Sequence, residues 1–387
     1  MKIVVISSLF KPQARGGAEI VAEAIARGLK ARGQEVAVIS IGRRNIQEQI
    51  DGLPVFRVQP VNVFNFLDIS SQPVILRLLW HFFDLFNFSQ ANKISKILQA
   101  EKPDLVIANS LKGLGYLVPR AIKKLKIKYI QIIHDAQLLH PSGLFTAEKS
   151  ADFFTAIYAG LCRSLFGRPD LVVFPSNYIK KIHQQKKFFT DTSQIVLGNP
   201  ITISGFSSVP HRDATFLFLG QIEKHKGVET LIRAFMSVPG EIKLWLVGDG
   251  GYLAQAKQLA KADARIKFWG RLTPAELEQK IWPAVDVLIN PSEVTESFGL
   301  VVLEAYAHGL PVMASNIGAL PELITVDKTG WLFQVGDGSD LANKLRLILA
   351  GRNELKQFKN RCLAKAGEFT LDAYLDRIIS VVHADSK

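Results

Sequence analysis

Residues 284–311 read AVDVLINPSEVTESFGLVVLEAYAHGLP: a short apolar run, a polar loop, a Phe298-Gly299 turn and a second apolar run carrying one acid. The first run, Ala284 to Asn290, is rich in Val and Ile and suits a buried parallel strand. Pro291 and Ser292 break it, and the second run predicts a helix from near Gly299. A strand, a loop and a helix in that order put the loop at the carboxyl end of a strand, where open α/β sheets bind ligands. The helix start would aim the N–H groups of Phe298, Gly299 and Leu300, and its positive dipole end, at an anion. Glu296 could then accept a hydroxyl of a polar ligand, and Glu304 a second hydroxyl pair. Spacing alone also describes an N-terminal capping acid followed by a solvated helix glutamate.

Outside this stretch, strands and helices alternate in two series, the pattern of an α/β chain. Lys2 to Ser7, Glu35 to Ser40, Pro54 to Val58, Asp104 to Ala108, Tyr129 to His134 and Leu171 to Phe174 read as strands of the first series. Thr215 to Gly220, Ile242 to Val247, Ile266 to Trp269, Val285 to Asn290 and Val312 to Ser315 read as strands of the second. Helical segments fall between most of them, as in Ala18 to Ala31, where Ile20, Ala24 and Leu29 recur at helical intervals. Pro, Ser and Gly gather without periodicity between Asn199 and Arg212, which places the join there. The expected organisation is a domain over 1–203, a second over 204–370, and a final helical segment over 371–387.

Composition bounds the function. At 387 residues, with 48% hydrophobic and 21% charged residues, the chain is long enough for two cores and too apolar for disorder. Cys162 and Cys362 are far apart and lack metal-ligand spacing, so a reducing cytoplasm is the expected home. The opening MKIVVISSLF is followed by Lys11 and has no small-residue cleavage site, so it reads as a first strand. Pro73 to Phe88, the most apolar stretch, is interrupted by Arg77, His81 and Asp84 and is too short to span a membrane.

Charge is divided unevenly. Residues 1–205 carry 26 Lys and Arg against 14 Asp and Glu, while residues 206–387 carry 21 of each, so the formal +12 sits on the first half. Basic clusters occur at Lys123, Lys124, Lys126 and Lys128, and at Lys180, Lys181, Lys186 and Lys187 ahead of Phe188 and Phe189. Such a face suits an anionic acceptor or an anionic membrane surface, and equally a solvated lysine face. No nucleic-acid motif accompanies it.

Further loops carry ligand chemistry. Gly16 and Gly17 follow the first strand and can bring backbone N–H groups close to a phosphate. Lys226-Gly227 follows the strand that ends at Gly220 and offers a cation at the start of a helix. Gly248 and Gly270 end two more strands as tight turns. His134, at the end of the Tyr129 strand, puts an imidazole at the carboxyl edge of the first sheet, a place that a purely structural histidine also occupies.

The string ESFGLVVLEAYAHGLPVMASNIGALPELI resembles the signature of the retaining family 4 glycosyltransferases. The resembling residues are Glu296 and Glu304 with seven residues between them, then Ala305, Gly309, Pro311, Val312, Gly318 and Glu322. Gly16-Gly17-Ala18-Glu19 is similar to the family's GGAE loop, and His134-Asp135 to its His-Asp pair. The resemblance implies a GT-B fold, in which two Rossmann-like domains with parallel sheets face each other across a cleft, and the last helix crosses back to the first domain. It also implies transfer of a sugar, typically a hexose, from a nucleoside-diphosphate sugar to a hydroxyl of a glycan or lipid-linked acceptor, with retention of configuration. In that scheme Glu296 orients the sugar hydroxyls, His134 lies beside the sugar, and Lys226 neutralises the leaving diphosphate. Glu304 holds the ribose, and Gly16, Gly17, Gly248, Phe298, Gly299 and Leu300 border the donor.

Gln221 departs from the pattern, because the family places Arg there; Lys224, His225 or the helix dipole would have to compensate. Arg15 is a further anion contact without a family counterpart. No Asp-x-Asp occurs, so no divalent metal and no other cofactor is expected, and leaving-group charge falls to Lys226 and backbone amides. Alternatives are a noncatalytic, basic, peripheral-membrane or polyanion-binding protein on the same fold, and a GT-B nucleotide-sugar epimerase. The expected location is cytoplasmic, with the basic domain on the inner face of a membrane as the further expectation.

Overall fold

The computed structural model describes residues 1–13, 16–143, 153–203 and 213–384; Arg15 and most of the Asn199 to Arg212 join lie outside them. The chain forms two compact units, Met1–Pro200 with Leu371–Lys387, and Ile201–Thr370.

The first unit is built on β1 (Lys2–Ser7), β2 (Glu35–Ile41), β3 (Ile46–Ile50), β4 (Leu53–Val58), β5 (Leu105–Ser110), β6 (Lys128–Ile132), β7 (Leu171–Phe174) and β8 (Ser193–Val196). They form one sheet in the order β3-β4-β2-β1-β5-β6-β7-β8. The inner strands are continuous apolar runs because helices cover both faces, and Ile3 to Ile6 of β1 are fully buried. Only β3 departs from the expected parallel arrangement: it pairs antiparallel with β4 through an Asp51-Gly52 turn. Both turn residues have positive φ, 53° and 72°, as a tight hairpin requires. The IQEQI of β3 is polar because the strand is an edge with an exposed face.

Helix Gly17–Ala31 buries Val21, Ala22, Ile25, Ala26 and Leu29. Gly28 is its flat spot, since a Cβ there would stand 2.6 Å from Leu375 Cδ1 and 3.0 Å from Leu371 Cδ2. The final helix, Leu371–Ala384, lies against this spot and is clamped by Arg32, which bonds Asp372 at 2.8 Å and Asp376 at 2.6 Å. The chain therefore leaves the first unit, builds the second, and returns.

The second unit has a fully parallel sheet of β9 (Ala214–Leu219), β10 (Ile242–Val247), β11 (Ile266–Gly270), β12 (Val287–Asn290), β13 (Val312–Ser315) and β14 (Gly330–Phe333), in the order β11-β10-β9-β12-β13-β14. From β9 the chain runs outward through β10 and β11, and from β12 outward the other way. The order thus reverses between β9 and β12, the switch point at which such sheets open a crevice beyond their carboxyl ends. The loops that meet there are Gly220 to Gly227 and Pro291 to Gly299.

β12 starts at Val287, later than the apolar run suggests, because Trp282–Ala284 forms a 3-10 turn around Pro283 and Asp286 accepts the Thr215 N–H at 2.8 Å. β3, β8 and β14 were not expected from the sequence: β3 and β8 have no apolar run, and β14 is only four residues long. Among the described residues no helix is long and apolar enough to cross a membrane.

Candidate active site

In the second unit, the loop after β9 and the loop after β12 are tied together. The Glu293 N–H donates to His225 O at 3.0 Å, and Thr230 Oγ1 donates to Glu293 Oε1 at 2.5 Å. Gly227 makes this closeness possible: its φ is 71°, and a Cβ would fall 1.8 Å from Pro291 O. Any other residue would force the two loops apart. Helix Val228–Met236 begins at this contact.

Lys226 and Glu296 meet here. Nζ lies 2.6 Å from Oε1, with the side chains 27% and 20% exposed. The pair is sheltered enough for its charges to matter and open enough for a ligand to reach both. Glu296 is fixed from behind, because Ala319 N–H donates to its carbonyl at 2.9 Å. Gly318 lets the backbones touch, as a Cβ on it would stand 2.5 Å from Glu296 O.

Phe298 buries its ring against Phe369, 5.8 Å between centroids, so only its main chain is available to a ligand. The N–H groups of Phe298 and Gly299 donate to no acceptor among the described residues. They precede Leu300, the first residue of helix Leu300–Ala307, whose N-cap is Gly299 at φ 104°. A cation, a carboxylate and two unspent N–H donors thus converge at the switch point, a set suited to a ligand with an anionic part and a hydroxylated part.

Glu304 lies on that helix, and burial raises its carboxyl pKa above the ordinary value, with His308 opposing and Glu278 adding. Its carboxylate has no hydrogen-bond partner among the described residues. His308 was not singled out from the sequence. Nδ1 bonds the Glu304 carbonyl at 2.7 Å, Nε2 approaches Glu278 at 3.0 Å, and Trp282 stacks on the ring at 4.5 Å. Its i,i+4 spacing from Glu304 was the available signal.

The remaining residues named from the second half fall nearby with differing availability. Gln221 is exposed and offers no cation, while Lys224 turns to Glu229 at 3.7 Å. Of the substitutes considered for the missing arginine, Lys224 is therefore engaged elsewhere. Gly248 donates its N–H to Gly270 O at 2.8 Å, so this amide is spent in joining the ends of β10 and β11. Glu223, not anticipated, accepts the Gly251 N–H at 2.6 Å and fastens the glycine loop after β10.

In the first unit, His134 stands two residues beyond β6, whose last residue is Ile132. Its Nε2 lies 2.7 Å from Asn109 Oδ1 at the end of β5. Asn109, nearly fully buried, donates its amide to Ala18 O at 2.6 Å. With that amide committed, Oδ1 must accept, so Nε2 carries the proton and Nδ1 is left as an acceptor. Burial lowers the His134 pKa to about 4, which keeps the ring neutral at physiological pH. Asp135 caps its own loop, accepting the Gln137 N–H at 2.8 Å, and burial raises its pKa to about 6.

Gly16 and Gly17 open the first helix, but the Gly16 N–H is already donated to Glu19 at 2.7 Å, which leaves that of Gly17. Arg57, buried in β4, holds the preceding loop by donating to the carbonyls of Phe10 and Lys11.

Comparison with known proteins fits these features to a family. Residues 15–203 match Glycosyltransferase Family 4, and residues 202–363 match Glycosyl transferases group 1. An uncharacterised 42.6 kDa protein in the cps region of Klebsiella pneumoniae is 28% identical over 84% of this chain and 87% of its own. The N-acetyl-alpha-D-glucosaminyl L-malate synthase of Bacillus anthracis is 25% identical over 86% of this chain and 84% of its own. Among solved structures, Anabaena HepE in complex with UDP and glucose superposes with a TM-score of 0.74 at 20% identity over 99% of both chains. Sucrose-phosphate synthase from Thermosynechococcus elongatus superposes with a TM-score of 0.78 at 19% identity, over 99% of this chain and 98% of that one. The two family matches run end to end through two units of the GT-B fold: the chain belongs to the group 1, family 4 glycosyltransferases.

Proposed function

We propose that this glycosyltransferase moves a sugar, a hexose, from a nucleoside-diphosphate sugar to a hydroxyl of a glycan or lipid-linked acceptor, with retention of configuration and without a divalent ion. The observation that carries the donor assignment is the Lys226–Glu296 pair beside the unspent N–H groups of Phe298 and Gly299. The solved complexes of Anabaena HepE with UDP, and with UDP and glucose, support the same ligand class.

In the proposed step the bond between the anomeric carbon and the β-phosphate oxygen breaks, and the acceptor oxygen bonds that carbon on the same face. The acceptor proton passes to the departing phosphate oxygen. Lys226 and the two amides meet the charge that grows on the diphosphate, and Glu296 accepts the sugar hydroxyls. Glu304, short of hydrogen-bond donors, takes the ribose. His134 presents Nδ1 to a sugar hydroxyl.

Calorimetry with UDP, GDP and ADP, with and without a chelator, tests the reading. One of them should bind regardless of chelator, and at 100 times its dissociation constant should add about 2.7 kcal/mol of stability. A folded sample that binds none of the three refutes it. Product analysis with and without acceptor separates transfer from epimerisation.

A further inference from the structure

Two helices of the first unit turn their apolar stripes outward. In Val74–Leu85, Ile75, Leu78, Leu79, Phe82 and Phe83 are exposed, while Trp80, Asp84 and Leu85 face in. In Phe153–Phe166, Phe153, Phe154, Ile157 and Leu161 are exposed, Phe153 by 79%, while Tyr158, Cys162 and Phe166 face in. The outward residues recur at i, i+3, i+4, i+7 and i+8 in the first helix and at i, i+1, i+4 and i+8 in the second, the stripe that a helix in a soluble domain ordinarily buries. Both helices belong to the first unit, and His140 packs on the second, its ring 6.4 Å from that of Phe154. Exposed apolar stripes of this size mark an interaction site.

Charge says what kind. Helix Phe153–Phe166 contains no acid, and the one acid of Val74–Leu85, Asp84, is buried. Arg77 and Arg163 are carried on the same helices. At the end of the second, Arg163, Arg168 and Lys187, with one acid, Asp191, 3.6 Å from Arg168, line a cavity of about 400 Å³. The residues 1–205 that contain both helices carry the whole net charge of +12. A second copy would bring like charge against like, whereas the surface of an anionic bilayer matches both the apolar stripes and the cations around them.

We infer that the helices Val74–Leu85 and Phe153–Phe166 dock on an anionic phospholipid bilayer, with Phe82, Phe83, Phe154 and Ile157 inserted below the headgroups. Its purpose rests on the reading of a lipid-linked acceptor, but its geometry does not. The test is flotation of the full chain with phosphatidylglycerol-containing and with pure phosphatidylcholine vesicles, at low and high salt, alongside nucleotide calorimetry on each sample. The chain should float with the anionic vesicles, less so at high salt. F82S/F83S and F154S/I157S should each lower partition about tenfold and leave nucleotide binding unchanged. R163Q/K187Q should reduce the preference for the anionic vesicles. Failure of a nucleotide-competent sample to float overturns the inference, as does flotation unaffected by the serine variants. A dimer that dissolves in F82S/F83S without any vesicle binding assigns the surface to a second copy and overturns it too. Flotation by a sample that binds no nucleotide leaves the docking surface standing and refutes the donor reading instead.

Discussion

Glu296→Gln separates the two roles assigned to the Lys226–Glu296 pair, because it should change nucleotide binding and transfer in opposite directions. In the free protein the Lys226 ammonium is held by a carboxylate at 2.6 Å, and a diphosphate must compete with that bond. Hydrogen bonds to charged groups contribute about 1.5–3 kcal/mol, and partial exposure of both side chains reduces this to roughly 1 kcal/mol. Removing the charge of Glu296 frees Lys226, so the diphosphate alone should bind about fivefold more tightly. Transfer should fall, because the carboxylate no longer accepts the sugar hydroxyls; a lost charged hydrogen bond of about 1.5–3 kcal/mol predicts a roughly ten- to hundredfold drop in kcat/KM. Lys226→Met should weaken diphosphate binding about tenfold or more. The assays are calorimetry with whichever of UDP, GDP or ADP binds, and product formation from the matching nucleotide sugar. If Glu296→Gln weakens the bare nucleotide as much as it slows transfer, the pair is a structural bridge and the division of roles is wrong.

Gly227→Ala should destabilise the second unit by several kcal/mol, read as a lowered denaturation midpoint, because positive φ and the contact with Pro291 O leave no room for a methyl group. Glu304→Gln should raise stability at neutral pH. Burial lifts the folded carboxyl pKa above 4.5, so ionisation costs the native state more than the unfolded one, and wild-type stability falls as pH rises through that window. The advantage of the variant should therefore appear above pH 4.5 and vanish below it; equal midpoints at neutral pH would place Glu304 in solvent. Asn109→Ala should lower kcat more than it raises KM, since the imidazole loses the bond that fixes its tautomer while the donor loops of the second unit are untouched. Gly28→Leu should undock the last helix, seen as faster proteolysis after Thr370, because the side chain would occupy the place of Leu371 and Leu375.

The strands most legible in the sequence are those buried on both faces, since a continuous apolar run needs no partner to be recognised. β1, β7, β10 and β13 begin and end where their runs do. β3 and β8 lie at sheet edges, where half the residues meet water and the apolar signal thins. The site divides in the same way. Glu296, Lys226 and Gly299 announce themselves because each sits in a recognisable loop after a strand, although Lys226 and Glu296 are 70 residues apart. Asn109 does not, because it belongs to no motif and acts on a histidine 25 residues away; Gly318 was marked by the family string, but its contact with the backbone of Glu296 was not.

Electrostatic state is hidden for a related reason. The spacing of Glu296 and Glu304 treats two carboxylates alike, yet one is paired with an ammonium and the other is half-buried without a donor. A ligand with a diphosphate at one end and a ribose at the other meets them differently: the diphosphate must compete with Glu296 for the ammonium, whereas the ribose would supply hydroxyl donors to Glu304. Glu296 thus opposes the bare diphosphate while Glu304 favours the ribose, and because one donor joins both places, single substitutions at them should not be additive for the intact nucleotide sugar.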